Sequence, residues 1–173
     1  MFKDWDNFYL LVGGAAGALI GIMFVVATLT ADMESKRMAQ GSRIYITPIV
    51  FHFSVVLVVS ATTAVPELPA SVLGVLLLLL AGCGIAYAIV TTLRMFRLNW
   101  ADGLPDMSDK CFYGIFPAIA YVLLAATGVA VWLRPEAAVY STGAVMLILL
   151  LIGIRNAWDL ATFFVLRDPD KKE

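Results

Sequence analysis

The stretch FYLLVGGAAGALIGIMFVVATLT, residues 8–30, decides the fold of this chain. It runs for more than 20 residues without a charged side chain, and about 20 apolar residues suffice for one α-helix to cross a bilayer. Four further apolar runs follow, at 46–65, 72–96, 111–133 and 139–166. In lipid such runs must be helical, because every backbone polar group needs a partner within its own segment.

These five runs predict an all-α, polytopic transmembrane helical bundle with five spans. At 173 residues the chain has room for this single membrane domain, 1–173, and for no soluble domain. The composition agrees, because 61% of the residues are hydrophobic and 14% are charged, whereas about a quarter are charged in soluble domains. The net charge of −1 indicates no nucleic-acid partner. The lipid bilayer is the expected partner.

The lysines and arginines predict an orientation. Arg134 and Lys3 fall on one side of the predicted bundle, Arg155 falls inside the last span, and nine cations fall on the other side. The nine are Lys36, Arg37, Arg43, Arg94, Arg97, Lys110, Arg167, Lys171 and Lys172. Cytoplasmic links carry the excess of Lys and Arg, so we expect a cytoplasmic C-terminus and an outside N-terminus.

Polar residues interrupt the last span in the sequence RNAWD, residues 155–159. An ionisable group at membrane depth costs about 2.5–3.5 kcal/mol on insertion scales and is a candidate functional residue. Arg155 and Asp159 are four residues apart, so they can form an ion pair on one helical face beside Asn156. Two structural alternatives stay open: a self-paired stitch between helices, or a helix that leaves the membrane near Ile154.

Two residues of other spans are expected on the same side of the bilayer, His52 at the depth of Asp159 and Tyr113 at a shallower depth. His52, the only histidine, lies in the second span, and Tyr113 lies near the cytoplasmic start of the fourth. Together with Arg155, Asn156 and Asp159 they predict a polar vestibule on the cytoplasmic side. A hydrogen-bonded packing role for His52 is the alternative. One histidine cannot supply a conventional zinc or bis-histidine haem site, so we expect no metal and no cofactor.

Gly13, Gly17 and Gly21 form a GxxxGxxxG stripe in the first span. Small residues at this spacing allow close approach of helix backbones. The stripe therefore predicts an interface, either with a helix of the same subunit or between copies in a homo-oligomer.

No catalytic motif accompanies these features: the sequence contains no nucleophile elbow, no phosphate-binding loop and no metal-binding His/Glu pattern. We therefore name no catalytic residues and do not expect an enzyme, with an intramembrane enzyme as the third hypothesis. The first is a homo-oligomeric channel or carrier for a small solute or ion. The second is a non-transporting membrane scaffold or accessory subunit.

Three stretches resemble a widespread group of small bacterial membrane proteins of unassigned function. They are FYLLVGGAAGALIGIMFVVATLT, YITPIVFHFSVVLVVSA and LLIGIRNAWDLATFFV. The distinctive positions are the Thr-Pro preceding His52 and the Asn-x-x-Asp of Asn156 and Asp159. The resemblance implies a multi-pass protein of the bacterial inner membrane and implies no activity.

Overall fold

The structure is a computed structural model that describes residues 5–31, 36–97 and 107–166; side-chain surroundings are described for 5–28, 46–94, 108 and 110–162. Its elements are α1 (Asp6–Ala31), α2 (Lys36–Thr63), α3 (Ala70–Arg97), α4 (Met107–Lys110), a π-turn (Cys111–Ile115), α5 (Phe116–Leu133) and α6 (Pro135–Leu166). The described residues contain no strand, so the all-α prediction is confirmed.

Five segments are long and apolar enough to cross a membrane: Asp6–Thr28, Ile46–Thr63, Ala70–Arg94, Cys111–Leu133 and Pro135–Thr162. They match the predicted runs to within a few residues, because a run of about 20 apolar residues admits little freedom in where a span is placed. The protein is therefore a multi-pass membrane protein with five spans. α6 runs through Ile154 without a break, as one helix from Pro135 to Leu166.

α2 begins earlier than the apolar run that predicted it. The helix starts at Lys36, so Pro48 lies inside it and not in its first turn. A proline leaves the carbonyl four residues earlier without its helical donor. That carbonyl belongs to residue 44, which precedes the span Ile46–Thr63, and water at the membrane boundary can satisfy it.

The helices pack around a shared apolar core. α2 and α5 contribute Phe53, Val56 and Leu124, and α6 contributes Met146 and Leu149, all at most 1% exposed. Large apolar side chains such as Leu10, Leu79 and Leu151 point outward and are more than 60% exposed. This arrangement fits a bilayer as the surrounding solvent, where outward apolar side chains contact lipid tails.

Two contacts define the ends of the bundle. The Tyr9 hydroxyl donates to the carbonyl of Val139 over 2.9 Å, and Gly13 lies against Ser60. The start of α1, the end of α2 and the start of α6 therefore share one end, which we call the Trp5 end. The opposite end, where α2 begins and α6 ends, is the Arg155 end.

Glycines allow the closest helix approaches. A Cβ on Gly13 would lie 2.5 Å from the Cβ of Ser60, and a Cβ on Gly17 would lie 3.9 Å from Leu57. A Cβ on Gly21 would meet nothing within 4 Å. Gly13 and Gly17 therefore pack against α2 of the same subunit, while Gly21 faces outward.

Candidate functional site

A polar cluster joins α6 to the beginning of the fourth span. This Arg155 cluster consists of Ser108, Phe112, Tyr113, Arg155, Asn156 and Asp159. Arg155 Nη1 pairs with Asp159 Oδ2 at 2.5 Å, one helical turn away. Arg155 Nη2 donates to Ser108 Oγ over 3.0 Å, and its guanidinium carbon lies 3.8 Å from the centre of the Phe112 ring. One guanidinium thus contacts α4, the π-turn and its own helix.

The π-turn explains how Asn156 is held. Within the turn the Phe116 N–H donates to the carbonyl of Cys111, five residues earlier. The next donor in this register would be Pro117, which has no N–H, so the carbonyl of Phe112 is left without a helical donor. Asn156 Nδ2 donates to that carbonyl over 3.0 Å. The α-helical spacing alone would have placed the freed carbonyl at Tyr113, one residue later.

A second hydrogen bond runs between the same two elements. The Tyr113 hydroxyl donates to the backbone carbonyl of Asn156 over 3.1 Å, and both residues are buried. Asn156 is 0% exposed, so its side chain is shielded from bulk water. The backbone of each element therefore accepts a side-chain donor from the other, which fixes their relative position.

The charged members lie at the edge of this cluster. The side chains of Arg155 and Asp159 are 32% and 38% exposed, and neighbouring Trp158 is 70% exposed. A pair this exposed is screened, and exposed ion pairs contribute about 0–1 kcal/mol. Mutual neutralisation reduces the cost of placing both groups in an otherwise apolar helix.

His52 does not join the Arg155 cluster by a hydrogen bond. Its Nδ1 lies 2.8 Å from the hydroxyl oxygen of Tyr121, and its Nε2 has no hydrogen-bond partner within the described part of the chain. Both residues are at most 1% exposed. The pair lies between aromatic rings, because Phe51 packs against Tyr121 and stacks on Tyr87 with centroids 4.7 Å apart.

Of the five residues predicted for one vestibule, four therefore lie together. Tyr113, Arg155, Asn156 and Asp159 form the Arg155 cluster, while His52 pairs with Tyr121. Sequence reasoning did not identify the roles of Ser108, Phe112 and Tyr121. Pro117 was the available signal for Phe112, because it predicts a carbonyl without a helical donor; no comparable signal pairs Tyr121 with His52.

No metal centre is assembled in the described residues: no three of their His, Cys, Asp and Glu side chains approach closely enough to hold an ion. Comparisons with protein-family models, with curated proteins and with solved structures find no match to this chain. The resemblance to small bacterial membrane proteins stays a prediction.

Proposed function

We propose that this protein is a membrane-embedded scaffold or accessory subunit, in which the Arg155 cluster fixes α6 against α4 and the π-turn and does not carry a solute. The observation that supports the proposal is the burial and the hydrogen bonding of the Asn156 side chain. That side chain is 0% exposed and donates to the Phe112 carbonyl of the same subunit. A residue that lines a water-filled path would instead keep its amide accessible.

The remaining contacts of the cluster also serve packing. Tyr113 donates to backbone, and Arg155 donates to Ser108 and forms an ion pair with Asp159. Interhelical hydrogen bonds in membranes contribute about 0.6 kcal/mol on average, with a maximum near 1.7. Several such bonds between the same two elements hold a helix in one position, which is what a scaffold requires.

A channel or carrier is the second candidate. The observation that favours it is the partial exposure of Arg155 and Asp159 at one end of the bundle. Charges in this position could attract an ion of either sign to the mouth of a path. Formation of that path by a homo-oligomer, with Asn156 turned toward it, is the hypothesis that a transport measurement must test.

The deciding experiment uses the purified protein in liposomes. Proton flux, membrane potential and osmotic swelling with small neutral solutes would be followed for the wild type, Asp159→Asn and Glu67→Gln. Glu67 is an exposed carboxylate of the link at the Trp5 end, so it is the matched control. We expect all three proteins to match protein-free vesicles. A wild-type flux that Asp159→Asn abolishes and Glu67→Gln retains would establish transport.

We further infer that the protein lies in the bacterial inner membrane with the Arg155 end in the cytoplasm. The start of α2 and the end of α6 share that end, as do Ser108 and Arg155 through their hydrogen bond. The excess of Lys and Arg lies at the beginning of α2, at the end of α3 and in α4, and also in 167–173, which is outside the described residues. Reporter fusions at both termini test the orientation, and a periplasmic C-terminus would overturn it.

A further inference from the structure

His52 has a ring nitrogen whose hydrogen-bonding capacity is unused. The residue is 1% exposed, and charging an imidazole in an apolar core costs several kcal/mol. The ring is therefore neutral, with one N–H donor and one acceptor nitrogen. Nδ1 is occupied by Tyr121, and Nε2 has no partner in the described part of the molecule.

The Tyr121 hydroxyl fixes which nitrogen carries the proton. Tyr121 is 0% exposed, and leaving a buried hydroxyl proton without an acceptor costs about 1–3 kcal/mol. Among the described residues the hydroxyl has one hydrogen-bond partner, His52 Nδ1, 2.8 Å away, so we assign Nδ1 as the acceptor of the Tyr121 proton. The ring proton is then on Nε2, which makes Nε2–H a buried donor that needs an acceptor.

Asn156 offers the complementary group. Its Nδ2 is used by the carbonyl of Phe112, and its Oδ1 is buried without a donor among the described residues. An unpaired buried polar atom costs about 1–3 kcal/mol. One unpaired donor on α2 and one unpaired acceptor on α6 therefore remain inside the same bundle.

The two groups lie at similar depth. The ring of Phe53 packs directly against Gly153, which sets the register of the antiparallel helices α2 and α6. Toward the Arg155 end, His52 is one residue beyond Phe53 and Asn156 is three residues beyond Gly153. At about 1.5 Å per residue their axial positions differ by roughly 3 Å. His52 contacts the fourth span at Tyr121, and Asn156 contacts it nine residues earlier, at Phe112, so a gap separates the two side chains.

We propose that His52 and Asn156 form a site for one small hydrogen-bonding molecule of the size and chemistry of water. The molecule accepts from His52 Nε2–H and donates to Asn156 Oδ1. The two atoms are not within hydrogen-bonding distance of each other, and a bridging molecule satisfies both, as buried waters in proteins do with two to four polar partners. The inference does not depend on whether the protein transports anything.

The proposed site links the His52–Tyr121 pair to the Arg155 cluster. Hydrogen bonds would run from Tyr121 through His52, the bound molecule and Asn156 to the carbonyl of Phe112. This series of hydrogen bonds would join α2, the fourth span and α6 across the bundle. His52 would then be connected to the Arg155 cluster through the bound molecule and not by a direct hydrogen bond.

One histidine makes the test direct. Protein labelled with ¹⁵N-histidine in lipid nanodiscs gives the imidazole signals of His52 alone, and the two ¹⁵N shifts report the tautomer. We expect an Nε2–H tautomer whose proton shows a magnetisation-transfer cross-peak to water. Asn156→Leu should abolish that cross-peak, Tyr121→Phe should shift the Nδ1 signal, and Thr162→Val, which alters a hydroxyl bonded within its own helix, should change neither.

An Nδ1–H tautomer, a wild-type protein without the water cross-peak, or a cross-peak that survives Asn156→Leu would each overturn the proposal. The first two outcomes need no variant, so the test holds even where Asn156→Leu does not fold. In that event the double variant Pro117→Ala/Asn156→Leu, in which residue 117 regains an N–H for the Phe112 carbonyl, replaces it.

Discussion

The fourth span packs against α3 and against α6 by two different means. Along α3 the backbones approach closely at glycines: a Cβ on Gly74 would lie 3.1 Å from the carbonyl oxygen of Gly128, and a Cβ on Gly128 would lie 3.2 Å from that of Gly74. Along α6 the contact depends on side-chain donors, with Asn156 and Tyr113 bonding to backbone carbonyls. We call these the glycine seam and the polar seam.

The two seams use different contacts because the solvent around the helices is lipid. Lipid tails are as apolar as leucine, so burial of apolar surface contributes little to helix association in a bilayer. Close van der Waals packing and interhelical hydrogen bonds remain, and each seam uses one of them. The glycine seam should therefore be sensitive to added volume, and the polar seam to lost donors.

The largest effect is expected in the glycine seam at Gly84. A Cβ there would overlap the ring of Tyr121, which is 0% exposed and cannot move into open space. Gly84→Ala should lower the free energy of unfolding by about 1–3 kcal/mol, as overpacked cores do. Thermal unfolding in detergent measures it. Gly82→Ala is the control, because a Cβ at Gly82 meets nothing within 4 Å; equal losses for both variants would contradict the seam.

A smaller effect is expected where α1 packs on α2. Gly13→Ala brings a methyl group against Ser60 and should cost about 1–2 kcal/mol by the same overpacking. Gly21→Ala should leave the melting temperature unchanged, because its surroundings are open within the subunit. An equal loss at Gly21 would show that it packs against a second copy, and the predicted homo-oligomer would then use this stripe.

The polar seam should respond to Asn156→Leu with a loss of about 1 kcal/mol, within the range of interhelical hydrogen bonds in membranes. The cost arises because the carbonyl of Phe112 loses its donor. In a Pro117→Ala background, residue 117 can supply an N–H to that carbonyl, so Asn156→Leu should cost less than half as much. Chemical unfolding of the four proteins completes the cycle, and identical costs in the two backgrounds would refute the role assigned to Pro117.

The smallest effect is expected at the exposed ion pair. Asp159→Asn removes the partner of Arg155, whose side chain is 32% exposed, and should cost less than about 1 kcal/mol. The difference from wild type should shrink in 1 M salt, where screening acts over about 3 Å. Melting temperatures at low and high salt measure it. A loss of stability that is large and independent of salt would instead show that this pair acts as one of the buried contacts of the polar seam.

The sequence predicted the spans well, because length and apolarity alone specify them. It missed the start of α2 at Lys36 because the polar residues before Ile46 carry no membrane signal, although the helix continues through them. It predicted the pairing of Arg155 with Asp159, since a spacing of four residues on one helix is a local property.

Contacts between helices could not be predicted in the same way. The partner of His52 depends on which spans are neighbours and on their register, and neither is encoded in apolar runs. The stripe of Gly13, Gly17 and Gly21 predicted close packing but could not show that Gly21 faces away from α2. The π-turn shifted the freed carbonyl to Phe112, because one residue added to a helical turn changes the register of every later donor.

The bond from Asn156 to Phe112 also constrains biosynthesis. Asn156 is made 44 residues after Phe112. The fourth span therefore enters the membrane before the carbonyl of Phe112 has its hydrogen-bond donor. Until α6 arrives, water must satisfy the Phe112 carbonyl, since an unsatisfied backbone group in hydrocarbon costs several kcal/mol. A nascent chain that stops before α6 therefore keeps this carbonyl hydrated at the boundary of the fourth span, and α6 replaces the water with the Asn156 amide.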